Sequence, residues 1–102
     1  MSITDKNKKI ISVNTAFCDV TGYQEEDVMG CNPRLLSSGK HDAAFYKHMW
    51  EQINLHKYWS GEVWNKRKNG ELFLEKITIS AITDDNNEVE LYFSIFSDIT
   101  IH

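Results

Sequence analysis

One proline, five glycines and two cysteines are all that punctuate 102 residues, and each scarcity removes a class of explanation. Cys18 and Cys31 stand thirteen positions apart with no C-x-x-C and no second pair, so a zinc site of the usual kind lacks ligands. A disulfide between them is the alternative to the free thiols expected of a cytoplasmic protein. No apolar run approaches the roughly 18 residues that span a bilayer, and MSITDKNKKIIS has no uninterrupted apolar core like that of a secretory signal. Membrane contact by this chain is therefore not expected. Positive charge is also short: eleven Lys and Arg against fifteen Asp and Glu give a net charge of −4, spread from Lys6 to Lys76. Nucleic acid is not expected as a partner, because phosphate binding needs a concentrated basic face. There is no G-x-S-x-G, no H-E-x-x-H and no phosphate-binding glycine loop; SSGKH lacks the upstream glycine and has His after the Lys. Catalysis by this chain is not expected.

What is present has the length of a single domain. SIT and IISVN read as short strands around the polar DKNKK turn. Asn14 is placed to cap a helix carrying Ala16, Phe17 and Val20, which Gly22 ends. QEEDVMG reads as a second short helix, with carboxylates at its positive end, Tyr23 stapled onto Val28 and Gly30 as the stop. Asp42 is the natural cap of a longer helix with Phe45, Met49 and Ile53 at helical spacing and Tyr46 and Trp50 alongside. From Trp59 the period becomes two, in three segments separated by NG and DDNN, residues that tolerate hairpin turns. The economical arrangement is an α+β fold, one five-stranded antiparallel sheet with short helices on one face.

Register decides which side chains meet. A three-residue loop, Lys68 to Gly70, puts Asn65 on the face with Phe73, Glu75, Ile77, Ile79 and Val63, and gathers the apolar phase on one side. Asn65 and Glu75 are then polar exceptions on the helix-covered face, bonded to each other, to water or to a small ligand. Trp64, Leu72, Leu74, Leu91, Phe93 and Ile95 point the other way and need covering by a second copy or another segment.

VNTAFCDVTGYQEEDVMGCNP, FYKHMWEQI, WSGEVWNKRKNGELFLEKITISAI and FSDIT together resemble a PAS sensory domain, from about Ile3 to Thr100. The likeness is to modules upstream of bacterial diguanylate cyclases, phosphodiesterases and histidine kinases. It implies a cytoplasmic fragment, residues 1–102, of a longer multidomain signalling protein, acting as a sensor and dimerisation module for a C-terminal output domain. A small ligand or cofactor would lie between sheet and helices. The resemblance makes Asn32, Arg34, Trp59, Asn65, Glu75 and Phe96 candidate ligand contacts. The uncovered outer face places a homodimer interface at Trp64, Leu91, Phe93 and Ile95, and the resemblance places signal transfer at Asp98, Ile99 and Thr100.

The cofactor expectations also follow from resemblance. Against the photoreceptor motif N-C-R-F-L-Q this chain has Asn32-Pro33-Arg34-Leu35-Leu36-Ser37, with proline at the reactive cysteine, Glu75 at a second asparagine and Phe96 at a glutamine. No FMN photoadduct is therefore expected. NPRLLSSG and WSGEVWNKRKN are similar to FAD-binding PAS domains of nitrogen-fixation regulators, which implies Trp59 near a flavin, Asn65 at its ring edge and Arg34 with Asn32 at its tail. FAD is carried as an option, in a redox-sensing reading of the domain. Haem is disfavoured, because His41 precedes the helix cap in solvent and His48 fits the buried stripe poorly. The further alternative is a pure protein-interaction domain with no ligand.

Overall fold

The computed structural model, which describes residues 1–100, begins with strands β1 (Ser2–Asp5) and β2 (Ile10–Val13). Asp5 Oδ1 accepts the backbone N–H of Asn7 and Lys9, which closes the turn between them. Helix α1 (Thr15–Thr21) starts where Asn14 accepts the Phe17 N–H at 3.0 Å and ends at Gly22, whose φ of 78° is the left-handed conformation glycine adopts without strain. Helix α2 (Glu25–Val28) carries three acidic residues in its first turn. A 3-10 turn over Pro33–Leu36 follows, with Asn32 as its cap. Asp42 caps α3 (Ala43–His56), as its position in the sequence predicts. The chain closes with β3 (Tyr58–Lys66), β4 (Leu72–Thr83) and β5 (Val89–Asp98).

The strands form one antiparallel sheet in the order β2-β1-β5-β4-β3, which bears out the α+β expectation. Asn65 pairs with Phe73 and Val63 with Glu75, so the three-residue loop is the one adopted. Gly70 makes it possible, with φ of 90° and its N–H donated to the Arg67 carbonyl.

Two apolar clusters hold helices and sheet together. Ile10, Phe17, Val28 and Leu36 form one, with Phe96 packed against it. Met49, Ile53, Ile79, Ala81 and Tyr92 form the other under α3. Each buried Val, Leu, Ile, Phe or Met among them stabilises the fold by about 1.5 to 3 kcal/mol relative to exposure. Their separation leaves the space that becomes the site.

Arg67 anchors the hairpin joining β3 and β4. Its guanidinium lies over the Phe73 ring, 4.4 Å from the centroid, donates to Asp98 at 2.5 Å, and reaches the Val20 carbonyl at the end of α1. Partial burial raises the Asp98 carboxyl, but hydrogen bonds from Arg67 and Thr100 outweigh that and bring it down to about 2. The end of β5 is thereby tied to hairpin and helix at once. The Ile99 N–H donates to the Leu74 carbonyl and the Leu74 N–H to Thr100 Oγ1, which continues the tie beyond the strand.

Candidate functional site

Between the two clusters lies a cavity of about 620 Å³, within the usual range of small-molecule sites. The inner sheet face contributes Val63, Ile77, Ile79 and Phe96, while α1, the 3-10 turn and α3 contribute Phe17, Leu36 and Met49. Most of this wall is apolar. Among its polar groups is the pair that the register brings together: Asn65 Nδ2 donates to Glu75 Oε1 at 2.5 Å. Glu75 is 2% exposed, and its second oxygen, Oε2, has no partner. Burial pushes the carboxyl up to about 7 against the Asn65 hydrogen bond, and the nearby charge of Asp98 adds to the rise. Near neutral pH this group exchanges readily between acceptor-only and donor-capable forms.

Four more of the candidate contacts can be placed. Phe96 lines the cavity and meets Phe17 edge to face, with centroids 5.8 Å apart. Asn32 lines it too, but its side-chain oxygen is committed to the Arg34 N–H at 2.9 Å. Arg34 is exposed at the rim. Trp59 is not brought to the cavity. Its ring packs edge-on against Phe45 and folds over Gly61, where a Cβ would sit 2.7 Å from the indole. Glycine at 61 is what lets the indole fold back along its own strand.

Both histidines considered for haem are accounted for. His48 is exposed on α3. His41 is not free in solvent: its Nε2 accepts the Trp64 backbone N–H at 2.9 Å and its ring stacks on Phe45 at 4.1 Å. It pins the segment before α3 to β3, the edge strand. Among the described residues no group of three or more His, Cys, Asp and Glu could hold a metal ion, and no helix is long and apolar enough to cross a membrane. Both cysteines are free and half-buried.

On the opposite face, Trp64, Leu91 and Phe93 are half-buried and Ile95 is 55% exposed. Their register partners Leu74, Ile82, Ser80 and Thr78 share that face. Sequence reasoning missed Thr4 and Tyr46, both of which line the cavity. Helical spacing put Tyr46 beside the buried stripe, and that was the available signal.

Residues 1–100 match a family described as PAS domain. The nitrogen fixation regulatory protein of Klebsiella oxytoca is 35% identical over 99% of this chain and 20% of its own length. A blue-light photoreceptor of Listeria innocua is 38% identical over 96% of this chain and 40% of its own. Among solved structures, the LOV domain of a blue-light activated histidine kinase from Erythrobacter litoralis superposes with a TM-score of 0.85 at 26% identity, covering 96% of this chain and 93% of that one. The chain thus spans well under half the length of these two curated relatives.

These matches overturn the cofactor expectation. The exclusion of an FMN photoadduct rested on substituted positions, Pro33 above all, and the FAD option on the likeness of NPRLLSSG and WSGEVWNKRKN to nitrogen-fixation regulators. Similarity along nearly the whole chain extends to a blue-light photoreceptor and a LOV domain. The physical error is identifiable. A substituted position bears on adduct chemistry and leaves the binding of a flavin ring open.

Proposed function

The chain belongs to the PAS domain family, and on that premise we propose that it is the sensory module of a longer signalling protein and holds FMN in the cavity between sheet and helices. The observation that carries this reading is the buried Asn65–Glu75 pair with its unpartnered Oε2, set in a largely apolar wall. A flat heteroaromatic ring needs apolar contact on its faces and hydrogen-bonding groups at its edge, and these residues fit that requirement. Asn65 and Glu75 would hold the ring edge, Phe96, Leu36 and Ile77 would pack its faces, and Arg34 at the rim would meet the anionic tail. A bound flavin supplies visible absorption and reversible electron uptake. The chain's own contribution is to exclude water from the ring, fix the edge contacts and pass a change at Glu75 to Asp98, its direct cross-strand neighbour on β5.

From Asp98 the route runs through Ile99 and Thr100 towards an output domain. Histidine kinase output takes precedence over a diguanylate cyclase, because the Erythrobacter litoralis relative belongs to such a kinase. The outer face carrying Trp64, Leu91, Phe93 and Ile95 serves as the homodimer interface in this reading, since its apolar groups are only partly covered.

Titrating FMN into flavin-free protein tests the proposal. Saturable quenching of flavin emission is expected, and it should vanish in Ser94→Trp, which builds an indole into the cavity from β5. A folded wild-type protein that leaves FMN emission unchanged refutes it.

A further inference from the structure

The walls of the cavity differ in what it takes to open them. The sheet is hydrogen-bonded from strand to strand, and α3 is packed onto it through Met49 and Ile53. Residues 38–42, which join the 3-10 turn to α3, are held far more lightly. The chain lines the cavity at Leu36 and Ser37 and again at Ala43 and Tyr46, so the stretch between them crosses the rim as a strap. Gly39 and Lys40 are exposed, and the Lys40 N–H is donated to Ser38 Oγ within the strap itself.

Its ties to the sheet fall on two consecutive residues of β3. Ser37 forms an isolated bridge with Asn65. His41 Nε2 accepts the Trp64 backbone N–H at 2.9 Å, and Lys40 Nζ lies 5.0 Å from the centre of the Trp64 ring. Because β3 is an edge strand, no further strand competes for that N–H. The His41 ring also stacks on Phe45 and meets Tyr46 edge to face at 5.9 Å. His41 thus joins the strap both to the sheet and to the first turn of α3. Local opening takes the segment with the fewest hydrogen bonds and buried contacts to lose, and this segment is closed by one side-chain acceptor.

We propose that residues 38–42 form a gate over the cavity and that His41 is its latch, releasing the Trp64 N–H whenever a ligand enters or leaves. This rests on the FMN reading, in which a ring shielded from water cannot pass unless part of the wall moves. Arg34, which meets the anionic tail in that reading, stands at the rim just before the strap. The latch is closed in flavin-free protein and in the complex, and open only in transit. Weakening it therefore lowers the barriers to entry and to exit alike and leaves the affinity where it was. A residue that only shapes the closed site would change the affinity instead.

The test measures FMN association by stopped-flow quenching of flavin emission and dissociation by dilution of the complex. His41→Phe keeps a ring against Phe45 and loses the acceptor, whereas His41→Gln loses the ring and keeps an acceptor of similar reach. His41→Phe should raise both rates together by about three- to tenfold, the worth of one neutral hydrogen bond, with the dissociation constant unchanged. His41→Gln should stay close to wild type. Wild-type rates in His41→Phe overturn the gate and leave the flavin reading standing. An altered affinity at an unaltered association rate also overturns it, as does equal acceleration in His41→Gln, since the acceptor would then not be what holds the strap. Wild type that binds no FMN removes the flavin reading and the gate with it.

Discussion

Replacing Glu75 by Gln isolates the cost of holding a carboxylate inside this fold. The side chain is 2% exposed, one oxygen receives Asn65 at 2.5 Å, and the other has no partner. Burial raises the carboxyl from 4.5 to about 7, with the Asn65 hydrogen bond opposing and Asp98 adding. The folded state thus binds this proton more tightly than the unfolded chain. The associated stability is complete below about pH 4.5 and is lost as pH rises through about 7. At about 1.4 kcal/mol per tenfold change in proton affinity, the displacement is worth roughly 3 kcal/mol at most. Gln has the shape of the neutral acid and keeps an oxygen for Asn65. In flavin-free protein, Glu75→Gln should therefore exceed wild type by up to roughly 3 kcal/mol near pH 8.5 and match it within about 0.5 kcal/mol near pH 4. Urea unfolding followed by the emission of the three tryptophans reads both values. A variant less stable than wild type at both pH values, or a gain that grows as pH falls, would refute the reasoning.

Three other substitutions probe what surrounds the site. Arg67→Ala strands Asp98 and the Val20 carbonyl and uncovers Phe73, so urea unfolding should show a loss of roughly 2 to 3 kcal/mol near neutral pH. Asp98 is held down from 3.8 to about 2, so the ion-pair part of that loss is present above about pH 4 and fades as pH falls towards 2; a loss that does not fade would contradict the assignment. His41→Phe keeps a ring against Phe45 but leaves the Trp64 N–H without its acceptor. It should cost about 1 kcal/mol and speed amide exchange at Trp64; unaltered exchange would show that another group satisfies that N–H. Ile95→Lys puts a charge into the outer face and should yield a monomer by sedimentation from a dimeric wild type, whereas an unchanged mass sinks the interface.

How much of this was legible beforehand depended on whether a signal is local. The turn at Asn69-Gly70 and the apolar phase of β4 fixed the register, and the register joined Asn65 to Glu75 before any coordinates. Caps at Asn14 and Asp42 were equally readable, because a cap acts on residues three positions away. Trp59 was misplaced because its course depends on Gly61 having no Cβ, which strand periodicity does not encode. The role of His41 was hidden because its partner is a backbone N–H 23 residues along the chain, and a main-chain donor leaves no mark in a sequence. Tyr46 read only as a neighbour of the buried stripe, since an unmet hydroxyl exists only once every neighbour is in place. The cofactor expectation fell for a different reason: it weighed a few positions against two motifs, whereas the likeness to flavin-containing relatives is spread along nearly the whole chain.

The most direct measurement is the absorption spectrum of protein purified in dim light, with the chromophore then released and identified by chromatography. The account predicts flavin bands near about 370 and 450 nm, a displaced long-wavelength band on Asn65→Ala as its ring-edge contact is removed, and FMN as the released species. Protein that is folded, colourless and still colourless after incubation with FMN would contradict it, as would a released chromophore that is not FMN.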